Sequence, residues 1–142
     1  MITEVFSTPQ DAERAFYQAF ETADLAGMMA VWAEEDDVVC VHPGGPRHAG
    51  VIEVRESWQQ IFTHGPRLHF RLAGNRRYPG RTLSIHTVYE HATVAGDPRP
   101  AAPVFATNIY LLTDRGWRML MHHASPLSPE AAPQEAPPSI LH

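Results

Sequence analysis

The sequence predicts an α+β domain in which N-terminal helices pack on one face of a strongly curved antiparallel β-sheet. Three observations point there. Apolar residues recur at helical spacing through the N-terminal part of the chain. From about Arg67 onward they alternate with a period of two instead. Proline and glycine clusters divide that second part into a few long strands.

Thr8-Pro9-Gln10-Asp11 opens the first helix, with Thr8 as N-cap, Pro9 in the first turn and an acid behind it. Ala12, Ala15, Phe16, Ala19 and Phe20 form its apolar stripe. Asp24 caps a second, short helix that turns Leu25, Met28, Met29 and Trp32 inward, and the acidic run Glu34 to Asp37 closes it as a solvated loop. The β-branched run Val38 to His42 reads as a strand and Pro43-Gly44-Gly45-Pro46 as a turn. A third helix begins near Val51, carries Val51, Val54, Trp58, Ile61 and Phe62 on one stripe, and stops at Gly65-Pro66. The segments RLHFRLAG, RTLSIHTVYEHATVAG and VFATNIYLLTDRGWRMLMHHAS are strands; the last folds back at Asp114-Arg115-Gly116, and Gly96 to Pro103 is a hairpin loop. Residues 1–126 therefore read as one domain. Residues 127–142, rich in proline and alanine, read as a disordered tail.

Charged residues are 19% and hydrophobic ones 44% of the 142, a globular balance. With 11 Lys and Arg against 16 Asp and Glu, and a net charge of −5, no basic stripe exists to meet phosphates, which argues against a nucleic-acid partner. Arg76-Arg77 and Arg81, the densest basic group, read as a solvated loop. The single cysteine, Cys40, sits in an apolar run and reads as an inert buried thiol, with no intrachain disulfide available. The N-terminus lacks a basic and apolar leader, and no run approaches a membrane-spanning length, so a cytoplasmic protein with no membrane partner is expected. Nine histidines raise the question of a metal. His42, His86 and His123 can be imagined converging on one, but no H-x-H, H-E-x-x-H or cysteine-rich spacing supports it, and the expectation is no metal and no cofactor.

Three segments carry a family resemblance: ADLAGMMAVWAEEDDVV (Ala23 to Val39), HPGG before the third helix, and DRGWRMLMHHAS with Trp117, His123 and Ser125. Together they resemble the NTF2-like superfamily: SnoaL-like proteins, ketosteroid isomerases and the calcium/calmodulin-dependent kinase II association domain. The resemblance implies a conical cavity between helices and sheet. In the isomerases a general-base aspartate stands directly before a proline; here the residue before Pro43 is His42. Their oxyanion tyrosine falls on Phe16, which has no hydroxyl, and their oxyanion aspartate falls on Asn108. The resemblance thus implies His42 as base facing Asn108 as amide donor, and it puts Met121 and His123 in the cavity with His122 pointing elsewhere. A bulge at the Asp114-Arg115-Gly116 turn would invert that last choice.

Histidine suits proton transfer near neutrality, and a buried amide can stabilise a developing oxyanion. Phe16, Trp32, Trp58 and Phe62 would form an aromatic wall, although rings at helical spacing are more often plain core packing. His86 and Glu90, four apart on one strand, share a face, as do Asn108 and Tyr110. Two functions follow from the resemblance. One is a small-molecule pocket protein working by cofactor-independent acid–base chemistry, as an isomerase, cyclase or lyase on a ring or acyl substrate. The other is a non-catalytic ligand-binding or oligomerisation module. In both, a homodimer through the outer sheet face is expected.

Overall fold

The computed structural model describes residues 5–99, 101–128 and 130–131. The expected disordered tail therefore lies mostly outside the described residues. Helices α1 (Pro9–Thr22), α2 (Leu25–Val31) and α3 (Val51–His64) are joined by the short strands β1 (Val39–Val41) and β2 (Arg47–Ala49). Four long strands follow: β3 (Leu68–Pro79), β4 (Leu83–Val94), β5 (Val104–Thr113) and β6 (Gly116–Pro126). They form one curved, unclosed sheet in the order β2-β1-β6-β5-β4-β3. The fold is α+β, as expected. All neighbours are antiparallel except β1 and β6, which run parallel, so the sheet is mixed at the end where the first strand hairpin joins it.

The helix ends follow local chemistry. The Thr8 hydroxyl accepts from the Asp11 N–H at 3.0 Å and the Asp24 carboxylate from the Gly27 N–H at 2.9 Å, satisfying N–H groups that have no partner within the helix. Ala23 takes the left-handed conformation (φ +53°) between α1 and α2, which lets α2 fold back at once. Arg118 on β6 donates to the carbonyl of Ala30 in the last turn of α2, a cation placed where the helix dipole is negative.

The inner sheet face is fixed by register. Ser84, His86, Val88 and Glu90 of β4 are buried, as are Ala106, Asn108 and Tyr110 of β5. Two irregularities bend the sheet. One lies in β3 between Ala73 and Arg76, where Gly74 has φ +63°. The other lies in β6 opposite Ile109 and Tyr110, where Leu120 is the extra residue. Past the first, β3 continues through Arg76 and Arg77, so these two arginines belong to a strand and not to the expected loop.

At the β5–β6 turn, Gly116 has φ +87°, and a Cβ there would stand 2.6 Å from the carbonyl oxygen of Phe6. Gly44, in the β1–β2 turn, also has positive φ (+74°) but nothing within 4 Å. Gly44→Ala should therefore lose about 1–2 kcal/mol, the left-handed penalty by itself. Gly116→Ala should lose clearly more in urea unfolding, because it also displaces the Phe6 backbone that accepts from the Trp117 N–H at 2.8 Å. Equal losses would mean that the Phe6 segment is not held there.

Candidate functional site

Helix α1 crosses the inner sheet face and lays two polar side chains, four residues apart and one turn from each other, against β4. The Tyr17 hydroxyl donates to Glu90 Oε2 at 2.6 Å, and Glu13 Oε2 lies 3.2 Å from His86 Nδ1. The second pair is off the line of a hydrogen bond and is a close approach of two buried polar atoms. Each pair continues into the sheet. Asn108 Nδ2 donates to the Tyr17 oxygen at 3.0 Å, and Asn108 Oδ1 lies 2.6 Å from His122 Nδ1. Glu13 Oε1 receives Arg77 Nη2 at 3.3 Å, and His86 Nε2 meets Ser84 Oγ at 3.0 Å.

A cavity of about 750 Å³ opens between α1 and β3, walled by Glu13, Tyr17 and Gln18 from the helix and Phe70, Leu72 and Arg77 from the strand. Tyr17 and Glu13 are thus shared between the cavity and the two buried chains. Burial is the main cause of the charge states here. It raises the Glu90 carboxyl to about 7, partly opposed by the Tyr17 hydrogen bond. It also holds the Tyr17 phenol well above its ordinary value, the Glu90 charge adding to the effect. His122, 1% exposed, is lowered to about 3 by burial and then by His42 and His123. Because His122 must stay neutral in the fold, the stability this gives is present above its ordinary value of 6.5 and is lost as pH falls below it.

The sequence-expected residues divide into three groups. His86, Glu90, Asn108 and Tyr110 are buried on the inner face, and the first three enter the two chains. Phe16, Trp58 and Trp32 are fully packed and Phe62 packs beside them, so rings fill the space expected to be hollow. Trp58 stands edge-on to His42 at 4.7 Å between ring centroids and tilted to His122 at 6.1 Å. His42 does not face Asn108: its Nε2 reaches Ser57 Oγ at 3.0 Å, on the α3 side of Trp58. Burial, then the His48 charge, lowers it to about 4.

The expectation for β6 is reversed. His122 is inside, while His123 is exposed and Met121 lies on the outer face opposite Ile109. The cause is the Leu120 bulge, since one extra residue flips every side chain beyond it. Sequence reasoning missed Glu13, Tyr17, Arg77 and His122. A tyrosine stands one residue after Phe16, and its hydroxyl is bonded to Glu90 and Asn108. A polar pair at i and i+4 flanking an apolar stripe was the available signal. Among the described residues no group of three or more His, Cys, Asp or Glu is placed to hold a metal ion, and no helix is long and apolar enough to cross a membrane.

Asn108 spends both ends of its amide on protein partners, so it does not await a ligand. Asn108→Leu should cost about 2–3 kcal/mol in denaturant unfolding by stranding Tyr17 and His122. A neutral or stabilising effect would mean that these contacts carry no weight.

Comparisons with known proteins agree with this architecture. Residues 10–129 match the model of the SnoaL-like domain. A Thiobacillus denitrificans structure described as a calcium/calmodulin-dependent protein kinase type II association domain is 38% identical, with a TM-score of 0.84 over 88% of this chain and 99% of that one. A Streptomyces avermitilis structure, described as a dehydratase from the NTF2-like family, is 29% identical with a TM-score of 0.74, covering 84% of this chain and 99% of its own. The F-box protein SKIP8 of Arabidopsis thaliana is 26% identical over 110 residues, 78% of this chain; the chain spans 46% of that relative's length. The chain therefore belongs to the SnoaL-like family and has the NTF2-like fold.

Proposed function

We propose that this protein is a cofactor-independent acid–base catalyst, an isomerase or lyase, acting on a small polar substrate seated in the α1–β3 cavity. One observation carries the reading. The side chain of Tyr17, which lines the cavity, is hydrogen-bonded through its hydroxyl at 2.6 Å to a buried carboxyl raised to about 7. A carboxyl poised near the working pH gives and takes protons with little driving-force penalty. Tyr17 is the group that touches substrate, Glu90 stores the proton behind it, and Asn108 positions Tyr17. Phe70 and Leu72 give the substrate an apolar face, while Arg77 and Gln18 give it polar contacts. The likeness to a protein described as a dehydratase supports proton-transfer chemistry of this kind. His42 stands off this cavity and takes no part in the reading.

Tyr17→Phe and Glu90→Gln should each lower turnover about 10²–10⁴-fold while leaving substrate affinity within a few-fold. Turnover that needs the protonated carboxyl should fall as pH rises through about 7. Tyr17→Phe at wild-type turnover would contradict the reading.

We further infer a homodimer through the outer sheet face. Ile85, Tyr89, Phe105, Ile109, Leu111 and Met121 lie there half-buried, on the side away from the helices. The likeness to a protein described as an association domain supports self-assembly as a second reading. Sedimentation at micromolar concentration should give a dimer, and Ile109→Glu should give a monomer. A wild-type monomer under those conditions would remove the inference.

A further inference from the structure

We propose that His122, remote from the cavity, is a positioning residue that fixes the direction of the whole hydrogen-bond chain, so that the Tyr17 proton answers to Glu90 alone. The proposal deepens the acid–base reading and rests on it for its catalytic meaning.

Donor and acceptor accounting leads there. A neutral imidazole carries one N–H, and an amide oxygen accepts but cannot donate. With Asn108 Nδ2 donating to Tyr17, its Oδ1 faces His122 Nδ1 at 2.6 Å, so Nδ1 must carry the proton. That bond pins the amide. The Tyr17 oxygen then always accepts from Asn108, and its own proton has two destinations left. When Glu90 is ionised, the proton goes to the carboxylate and Tyr17 offers a lone pair to the cavity. When Glu90 is protonated, the carboxyl donates to the Tyr17 oxygen instead, and the phenol proton is released toward the cavity. Tyr17 is thereby an acceptor in one state of Glu90 and a donor in the other.

Burial makes the lock effective. Asn108 is 0% exposed and His122 1%, with Phe16 of α1 and Trp58 of α3 packed on the imidazole. The titratable groups facing His122 are His42 from the end of β1 and its neighbour His123; Cys40 lies opposite it on β1. Those facing Glu90 are Tyr17 of α1 and Tyr110 of β5, and Glu13 and Arg77 in turn act on Tyr110. Burial holds His122 itself neutral down to about 3, far below the Glu90 value of about 7, so the lock does not titrate where Glu90 does.

The test uses the intact protein and needs no substrate, so its failure is separable from failure of the catalytic reading. In the wild type, ¹⁵N NMR should find His122 protonated at Nδ1 and bare at Nε2 on both sides of neutrality. The ring carbon bearing the Tyr17 hydroxyl should show a titration step at the midpoint of Glu90. His122→Asn, whose amide keeps an N–H near the Nδ1 position, should retain that step. In His122→Leu the Asn108 amide is free to turn and accept from Tyr17, and the step should shrink by about half or more. An Nε2–H tautomer in the wild type would overturn the proposal, and so would a folded His122→Leu protein with an undiminished step. A Tyr17→Phe protein with full turnover would leave this result standing and remove only its catalytic meaning.

Discussion

The hydrogen bond from Tyr17 to Glu90 joins helix to sheet at the point on which the rest of the arrangement depends. Burying a carboxyl is costly, and the fold meets that cost by raising Glu90 to about 7 and giving it a phenol partner at 2.6 Å. Once Tyr17 is fixed, Glu13 one turn earlier is held against His86, and α1 has two polar ties to β4. The aromatic core packs beside these ties: Phe16, next to Tyr17, stands between its neighbour's ring and those of Trp58 and His122. The cavity lies where α1 meets β3, although Phe20 packs on Phe70 at 4.5 Å between ring centroids and Glu21 accepts from the Phe70 N–H at 2.7 Å there.

Much of this was legible in the sequence because the governing signals are local. Thr8 and Asp24 mark helix starts through caps that the structure contains, and Gly65 ends α3 with its N–H on the Ile61 carbonyl at 2.8 Å. The inward face shared by His86 and Glu90 follows from strand period once burial is known. Strand β2 was not legible: three residues with no apolar alternation acquire their conformation from pairing with β1. The continuation of β3 through Arg76 and Arg77 was hidden by Gly74, which looks like a strand end and is a bulge.

The two errors that matter for the site have one form, an offset of a single residue. On α1 a shift from Phe16 to Tyr17 rotates the position by about 100°, yet both are buried because α1 packs on its neighbours through a wide arc. On β6 the Leu120 bulge exchanges His122 for His123, and no residue near Leu120 announces it. Such offsets are set by tertiary packing, which is why the family's fold could be read from motifs while the inward placement of Tyr17 and His122 could not. The aromatic residues expected as a cavity wall became core for the same reason, and the open space moved to the α1–β3 side.

The polar chain sets a phenol against a buried carboxyl, beside packed rings and next to the α1–β3 cavity. The acid–base role proposed for it depends on the state of Glu90. The most direct measurement is a carboxyl-¹³C titration of Glu90 in the wild type and in Tyr17→Phe. The account predicts a midpoint near 7 that moves higher when the phenol is removed, because that hydrogen bond favours the ionised form. A midpoint at the ordinary carboxyl value of 4.5, unmoved by the substitution, would contradict it.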